Sequence, residues 1–545
     1  MSSIIVLISG VALLFALARY CLRGTQDVNA LPSPVSNGAV VFLSCIAEWL
    51  INVLRACLLA LQPVDEATWI WGHEKQVFDH ESNEMYIKWV SLLGPLYRIK
   101  AALLHKDIIV AADNAAVQHI FQNPDKYVKS PVFRPPVANL MGRGLVWAEG
   151  DDHKKQRRIL APAFSQENIK GMSDDIWEGA EKLESILTNQ ILSHNGGMTV
   201  NILEQVSKCM LDIIGRVAFG HDFNSGQSTE AGEIAASWHN HVNMGLTFGG
   251  FIAPLLVRSF PWIVKLPIPA LQAQGTTKMI VTKLAMRILE RDGREGGYGK
   301  DILSLLLNAQ KLEKGPAEGL TPSQIVENVI ISFPINTFIM VGHETTAGSV
   351  SFTLLQLARN PGMQQKLREE IQALGHDLDY NNIQKLDYLD AVVKEGLRLH
   401  PASPHTERVV LEDDIIPLST PIRTSDGRKR TSLRVKAGQT NLEVWGSDAH
   451  KFKPERWTTL GGVPPPNELP HGWSGLVAFC DGPRMCIGYR LAILEFKIML
   501  ATLVRSIEFR ETEAQIRQMI SPTLQPVVDG RGGVLPLKLS LVSQH

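Results

Sequence analysis

Several features are scarce in this 545-residue chain, and each scarcity excludes something. Its six cysteines, Cys21, Cys45, Cys57, Cys209, Cys480 and Cys486, are too few and too scattered for a disulfide scaffold. None stands in the paired Cys-x-x-Cys of a zinc site. Charge of one sign is missing as well. Lys+Arg number 54 against Asp+Glu 55, a formal net charge of -1, so no basic surplus draws the chain to nucleic acid. The absence of any Asn-x-Ser/Thr acceptor agrees with a domain that faces the cytosol. A Gly-x-Gly-x-x-Gly fingerprint is also absent, so the chain carries no dinucleotide-binding or flavin module of its own. What it does have is apolar mass, 45% of its residues, enough to bury a large core.

The longest uncharged run is at the N-terminus, from Ile4 to Ala18, with Arg19 and Arg23 after it and no Lys or Arg before it. With Arg19 snorkelling, the run nears the minimum length for a membrane span, and positive-inside counting places the rest of the chain in the cytosol. Ala16-Leu17-Ala18 resembles a signal-peptide cleavage site, but the basic leader that such a peptide needs is missing. Residues 1–24 are therefore expected to be a single-pass anchor. A second apolar stretch, Ala39 to Leu61, contains Glu48 and Arg55, each costing about 2.5 to 3.5 kcal/mol at a bilayer centre. Seven residues is nearly two helical turns, so both charges share one face, and residues 25–67 are expected to hold an interfacial amphipathic helix.

From residue 68 to residue 545 the chain reads as one domain, mostly α with small β-sheets. Apolar residues recur at helical spacing over Trp177 to Leu192, Val200 to Gly215, Pro322 to Arg359, Met363 to Leu374 and Asp387 to His400. Strand-like alternation is confined to short pieces such as Tyr97 to Ala101 and Leu535 to Leu541. Gly293 to Lys300 is a flexible connection by composition, and Thr321-Pro322 opens the long helix after it, as a Thr cap with Pro at the first turn. Pro334 is expected to kink that helix.

Chemistry concentrates in Phe479-Cys480-Asp481-Gly482-Pro483-Arg484-Met485-Cys486-Ile487-Gly488, which runs into a helical pattern at Tyr489. Its glycines permit a hairpin with positive φ. Such a turn presents Cys486 at a helix N-terminus, where the dipole and free N–H groups favour a thiolate. A thiolate there serves as a nucleophile or a metal ligand, and a lone cysteine is otherwise a buried core thiol. The pattern Phe-x-x-Gly-x-Arg-x-Cys-x-Gly resembles the haem-ligand signature of the cytochrome P450 family, matched at Phe479, Gly482, Arg484, Cys486 and Gly488. That resemblance implies that Cys486 is the axial ligand of the haem iron, that Phe479 packs beside it and that Arg484 pairs with a haem propionate. Cys480 lies outside this register and is read as a core or loop thiol.

Further stretches keep the family's order. Glu395-Gly396-Leu397-Arg398 puts an acid and a base on one helical face, ordinarily a surface ion pair of little consequence. Together with Phe452-Lys453-Pro454-Glu455-Arg456-Trp457 it resembles the family's Glu-x-x-Arg helix and later Pro-Glu-Arg segment, which implies a buried structural cluster of Glu395, Arg398 and Arg456. Val341-Gly342-His343-Glu344-Thr345-Thr346 resembles the family's oxygen-binding groove; a mid-helix Gly beside Thr hydroxyls weakens the helix locally and can admit water. Glu344 and Thr345 thereby become the candidates for proton relay, with a polar patch on a buried helix as the alternative. His343 is read as a packed or exposed side chain rather than a ligand. Upstream, Gly150 to Arg158 looks like the helix in which His153 and Arg157 hold a propionate, and Arg408 is a further propionate candidate. Lys154, Lys155 and Arg158 belong to a solvated basic face suited to an acidic electron-donor protein.

The resemblance is to fungal microsomal members, many of which tailor terpenoids or other secondary metabolites. It implies a haem-thiolate monooxygenase that places one atom of O2 into a C–H or C=C bond of a lipophilic substrate. The implied cofactor is haem b, with NADPH acting indirectly through a membrane-bound NADPH-cytochrome P450 reductase. Membrane lipid is a further partner, and the endoplasmic reticulum membrane is the expected location, with the catalytic domain facing the cytosol. A haem-thiolate isomerase or dehydratase and a non-catalytic haem protein are the alternatives. The apolar stretch Met244 to Leu271 falls where family members place substrate-access and membrane contacts.

Overall fold

The computed structural model describes residues 67–542 apart from 106–107, 131–132, 141, 261–262, 264–300, 305–334, 376–377, 424–428, 435–449, 467 and 470–471. The expected anchor (1–24) and nearly all of the expected amphipathic segment (25–67) lie outside the described residues. So do the Gly293–Lys300 connection, the Thr321-Pro322 helix start, the Pro334 kink and most of the far end of the Met244–Leu271 stretch. Among the described residues no helix is long and apolar enough to cross a membrane.

Helices dominate, with small antiparallel sheets at the periphery. The central helix runs Ile335–Arg359 and is buried on all sides over its later turns, where Ala347, Val350, Phe352, Leu354, Leu355 and Leu357 are at most 1% exposed. Thr346, Ser349, Ser351 and Thr353 are buried in the same turns, so the helix is enclosed on every face and belongs in the core. Helix Ile202–Phe219 crosses it, and helix Tyr489–Ser506 is buried over most of its length in the same core, which also takes in Ser173–Ser193 and Asp387–Leu399. Glycine permits these close crossings. A Cβ on Gly342 would stand 2.7 Å from Cγ1 of Ile214, and one on Gly179 would stand 2.6 Å from Cγ1 of Ile213.

The helical spacing over 177–192, 200–215, 363–374 and 387–400 corresponds to helices Ser173–Ser193, Ile202–Phe219, Pro361–Ala373 and Asp387–Leu399. The alternation at 535–541 becomes strand Pro536–Leu541, which pairs with Gly197–Asn201 on one side and Ile507–Glu511 on the other. Leu537 and Leu539 point into the core while Lys538 points out, the period-2 pattern of a strand with one wet face. Tyr97 to Ala101 similarly overlaps strand Leu96–Ile99, paired with Ile108–Ala111. The consequence for function is positional: the central helix, the cysteine segment and the helix after it are set by one continuous core.

Candidate functional site

The cysteine segment folds as a tight turn locked by its own backbone. Asp481 accepts from the Gly482 N–H at 2.6 Å, Met485 N–H donates to Gly482 O at 3.0 Å, and Cys486 N–H donates to Phe479 O at 2.8 Å. Gly482 sits at φ +61, where a Cβ would meet the Phe121 carbonyl oxygen at 2.6 Å, so only glycine fits. Gly488 caps helix Tyr489–Ser506, and its N–H bonds back to the Cys486 thiol. Phe479 packs edge-on to Trp473, with ring centroids 5.7 Å apart, and tilted against Tyr489 at 6.2 Å.

Cys486 is exposed, yet the space it faces is enclosed by protein closely enough for desolvation to push its thiol up to about 11. The Gly488 N–H and Arg157 pull the other way and do not win. The N–H at the helix end favours the thiolate as expected, and a bound metal ion would remove the proton outright. Cys480 is partly buried, at φ +59, with its thiol raised by burial.

Beside the turn lies a basic cluster. Arg157 Nη1 donates to Met485 O at 2.6 Å, which ties helix Gly150–Leu160 to the residue before Cys486. Arg484 donates to Ala148 O at 2.6 Å and pairs with Glu149. Lys129 reaches the same Glu149 at 3.2 Å. Arg408 donates to Thr406 Oγ1 at 2.6 Å and lies over the Phe121 ring. His153 is buried on the same helix as Arg157, and burial together with Arg484, Lys129 and Arg157 pushes its pKa down to about 3, so its ring is neutral. Desolvation likewise lowers Lys129, to about 8, and depresses Arg157, Arg408 and Arg484. Four cations gather here around Glu149, and a desolvated surplus of one sign is costly until it is paired. A dianion next to Cys486 supplies that pairing. The donor set thus fits a haem, with its iron at the thiol and its propionates at the guanidinium groups.

The structure brings Glu395, Arg398 and Arg456 together out of solvent. Arg398 forks onto Glu395 at 2.9 and 3.0 Å, and Arg456 Nε donates to Glu395 Oε1 at 3.0 Å. The same carboxylate accepts from Trp457 Nε1 at 3.0 Å and from the Lys453 N–H at 2.7 Å. Every lone-pair direction of a fully buried carboxylate is therefore used.

On the central helix the half-buried Thr345 spends its hydroxyl on the carbonyl one turn back, donating to Val341 O at 2.6 Å. Glu344 accepts from Ser207 at 2.5 Å and lies 3.4 Å from His343 Nε2. His343 is buried, with Nδ1 2.5 Å from Ile339 O. Glu344 borders a cavity of about 340 Å³ whose rim carries Glu204, Lys208 and His239. The helix is continuous from Ile335 to Arg359, and Gly342 also makes room for the close pass of Ile214. Lys154, Lys155 and Arg158 are all exposed, and Lys154 pairs across the surface with Asp125 at 3.2 Å and Asp151 at 3.4 Å.

Sequence reasoning did not find Glu149, Lys129, Ser207 or the role of Trp457. Trp457 lies inside the Pro-Glu-Arg segment, and its indole N–H proves to be a ligand of Glu395. Glu149 directly precedes the Gly150 to Arg158 segment as its N-cap, whereas Lys129 and Ser207 are separated in sequence from the motifs they serve.

The cytochrome P450 family model matches residues 63–529. Cytochrome P450 monooxygenase claP of Ampulloclitocybe clavipes is 32% identical over 484 residues, covering 84% of this chain and 88% of that protein. Cytochrome P450 monooxygenase 205 of Postia placenta is 28% identical over 516 residues, covering 89% of this chain and 92% of that protein. Ganoderic acid synthetase of Ganoderma lucidum is 29% identical over 488 residues, covering 83% of this chain and 88% of that protein.

Proposed function

This chain belongs to the cytochrome P450 family of haem-thiolate monooxygenases, and we propose that it hydroxylates or epoxidises a lipophilic substrate in fungal secondary metabolism with electrons from NADPH delivered by an NADPH-cytochrome P450 reductase. The observation that carries the reading is the coincidence of one exposed but enclosed thiol, Cys486, with a cationic surplus made by Arg157, Arg408 and Arg484. Bound there, the haem supplies the binding and reductive activation of O2. Cys486 would hold the haem iron through its sulfur, with the Gly488 N–H on that sulfur, Phe479 beside it and Gly482 shaping the turn. Arg484, Arg157, His153 and Arg408 would pair with the haem propionates. Thr345 and Glu344 move protons, with Glu344 open to the cavity at whose rim stand Glu204, Lys208 and His239. Glu395, Arg398 and Arg456 form a buried structural clamp between helix Asp387–Leu399 and the Lys453–Trp457 segment.

Residues 1–24 act as a single-pass anchor in the endoplasmic reticulum membrane, residues 25–67 lie at its surface, and residues 68–545 form the catalytic domain on the cytosolic side. The support is sequence: an uncharged run with two arginines after it. The names of relatives from Ampulloclitocybe clavipes and Ganoderma lucidum support the metabolic setting.

The test is the carbon monoxide difference spectrum of the reduced full-length protein. A long-wavelength Soret band that is lost in Cys486→Ala and kept in Cys480→Ala is expected. Survival of the band in Cys486→Ala overturns the ligand, and turnover without NADPH and reductase favours the isomerase or dehydratase alternative.

A further inference from the structure

Strands Ile415–Arg423 and Lys429–Arg434 pair into a two-stranded antiparallel hairpin, none of whose residues belongs to the cysteine turn, the basic cluster or the Glu344 cavity. Its second strand reads Lys429-Arg430-Thr431-Ser432-Leu433-Arg434. Nowhere outside this segment do two adjacent cations precede a Ser or Thr with one residue between, and here an apolar residue, Leu433, follows the Ser as well. Lys429, Arg430, Thr431 and Ser432 are all exposed.

The backbone at this point is loosely held. Pro417 stands opposite Ser432 and Ile422 opposite Arg430, so the four residues Leu418 to Pro421 face Thr431 alone. Such a bulge interrupts the ladder. Pro417 and Pro421 have no N–H to give, and the N–H groups of Ser419 and Thr420 go to Asp113 at 2.9 and 3.0 Å, where the Ser419 hydroxyl also donates, at 2.6 Å. From Pro417 to Pro421 only the Leu418 N–H remains for the second strand. On its other edge, Lys429–Arg434 meets no further strand among the described residues. Thr431 and Ser432 thus lie in exposed, extended backbone whose ladder is open on one edge and broken on the other.

A cationic edge deters strand pairing, and that alone would account for Lys429 and Arg430. It asks for neither the hydroxyl nor the apolar residue after it. Extended backbone, cations two and three residues before a serine and an apolar residue behind it form the pattern that a basophilic protein kinase reads, with carboxylates for the cations and an apolar pocket for the next side chain. We propose that Ser432 is a phosphorylation site for a serine kinase of this class. In the transfer Ser432 Oγ forms a bond to the γ-phosphorus of ATP, the bond from that phosphorus to the β,γ-bridging oxygen breaks, ADP leaves with the electron pair, and the hydroxyl proton passes to a carboxylate of the kinase. Thr431 is the poorer acceptor, since the residue after it is polar. The phosphoserine carries a charge of about −1.5 to −2 at neutral pH, which offsets Lys429 and Arg430.

The experiment incubates the folded, full-length, haem-loaded protein with ATP, magnesium and the catalytic subunit of cAMP-dependent protein kinase, and locates the phosphoryl group by mass spectrometry of its peptides. Ser432 is the expected principal site. Ser432→Ala should abolish that modification and Thr431→Ala should retain it, with circular dichroism to confirm folding. Lys429→Gln combined with Arg430→Gln should slow it by about tenfold or more, because the kinase carboxylates lose their partners. Casein kinase 2, which selects acidic flanks, should leave Ser432 unmodified. No phosphate on Ser432, transfer to Thr431 in its place, an unslowed reaction in the glutamine variant, equal modification by casein kinase 2, or modification only after the protein has been unfolded by heat would each overturn the site.

Discussion

Ser207, on the helix that crosses the central helix, donates its hydroxyl hydrogen bond to Glu344 at 2.5 Å. One carboxylate oxygen is thereby held from outside its own helix, next to His343 and at the edge of a cavity. In the proposed proton relay, Ser207 is the contact that holds this carboxylate from a second helix.

Ser207→Ala should leave the reduced carbon monoxide spectrum unchanged, because the residue touches neither the cysteine turn nor the basic cluster. Product formed per NADPH consumed should fall several-fold, and the solvent isotope effect on product formation should rise. Equal coupling and an unchanged isotope effect would show that the hydroxyl only packs against Glu344.

Glu395 accepts from two arginines, an indole and a backbone N–H while itself 0% exposed. Glu395→Ala strands two buried guanidinium groups, a loss of about 3 to 5 kcal/mol. The expected result is protein that fails to retain haem, with a lowered denaturation midpoint even before haem loss is counted. A variant of normal stability with a normal haem spectrum would refute the structural role.

The cysteine turn and the Glu395–Arg398 pair were legible in the sequence because their residues lie close together along the chain. Phe479 to Gly488 fixes a turn by local backbone bonds, and Glu395 with Arg398 shares a helical face, so spacing alone places them. Cavities were not legible. Ser82 with Asn83, Arg258 and His405 come from three separate segments, and only the packed structure shows that they line one space. Gly342 carries a second constraint that no local pattern shows, the close pass of Ile214, a residue more than a hundred positions away.

His400 gives a pH signature. Its Nε2 accepts from Gln356 at 3.0 Å, so Nδ1 carries the proton and donates to Gln518 at 3.1 Å. Burial pushes its pKa down to about 4, below the ordinary value near 6.5. The unfolded chain therefore binds the extra proton first, and the stabilisation, complete above pH 6.5, is lost as pH falls towards 4. The slope from one such group is at most about 1.4 kcal/mol per pH unit. Denaturant unfolding at pH 7 and pH 5 should show it, and His400→Gln should flatten it by about one proton's worth; an equal slope in the variant would assign the effect to other groups such as His153.

The helix crossing itself can be tested by a double-mutant cycle. A Cβ on Gly342 would come within 2.7 Å of Ile214 Cγ1 and 2.8 Å of its Cδ1, closer than carbon atoms pack. Ile214 is buried and cannot swing into solvent, so Gly342→Ala must push the two helices apart at a cost of about 1 to 3 kcal/mol. Separation at this point also carries Glu344 away from Ser207, because the two contacts lie on the same pair of helices. Ile214→Ala removes the obstructing atoms, at its own cost of about 2 to 5 kcal/mol for the space it leaves. The added methyl of Gly342→Ala partly refills that space. The combined variant should therefore be more stable than the sum of the two losses, with an interaction of about 1 kcal/mol or more in chemical denaturation. Strict additivity would mean that the helices yield freely at Gly342, and would mark that glycine as a point of local weakness.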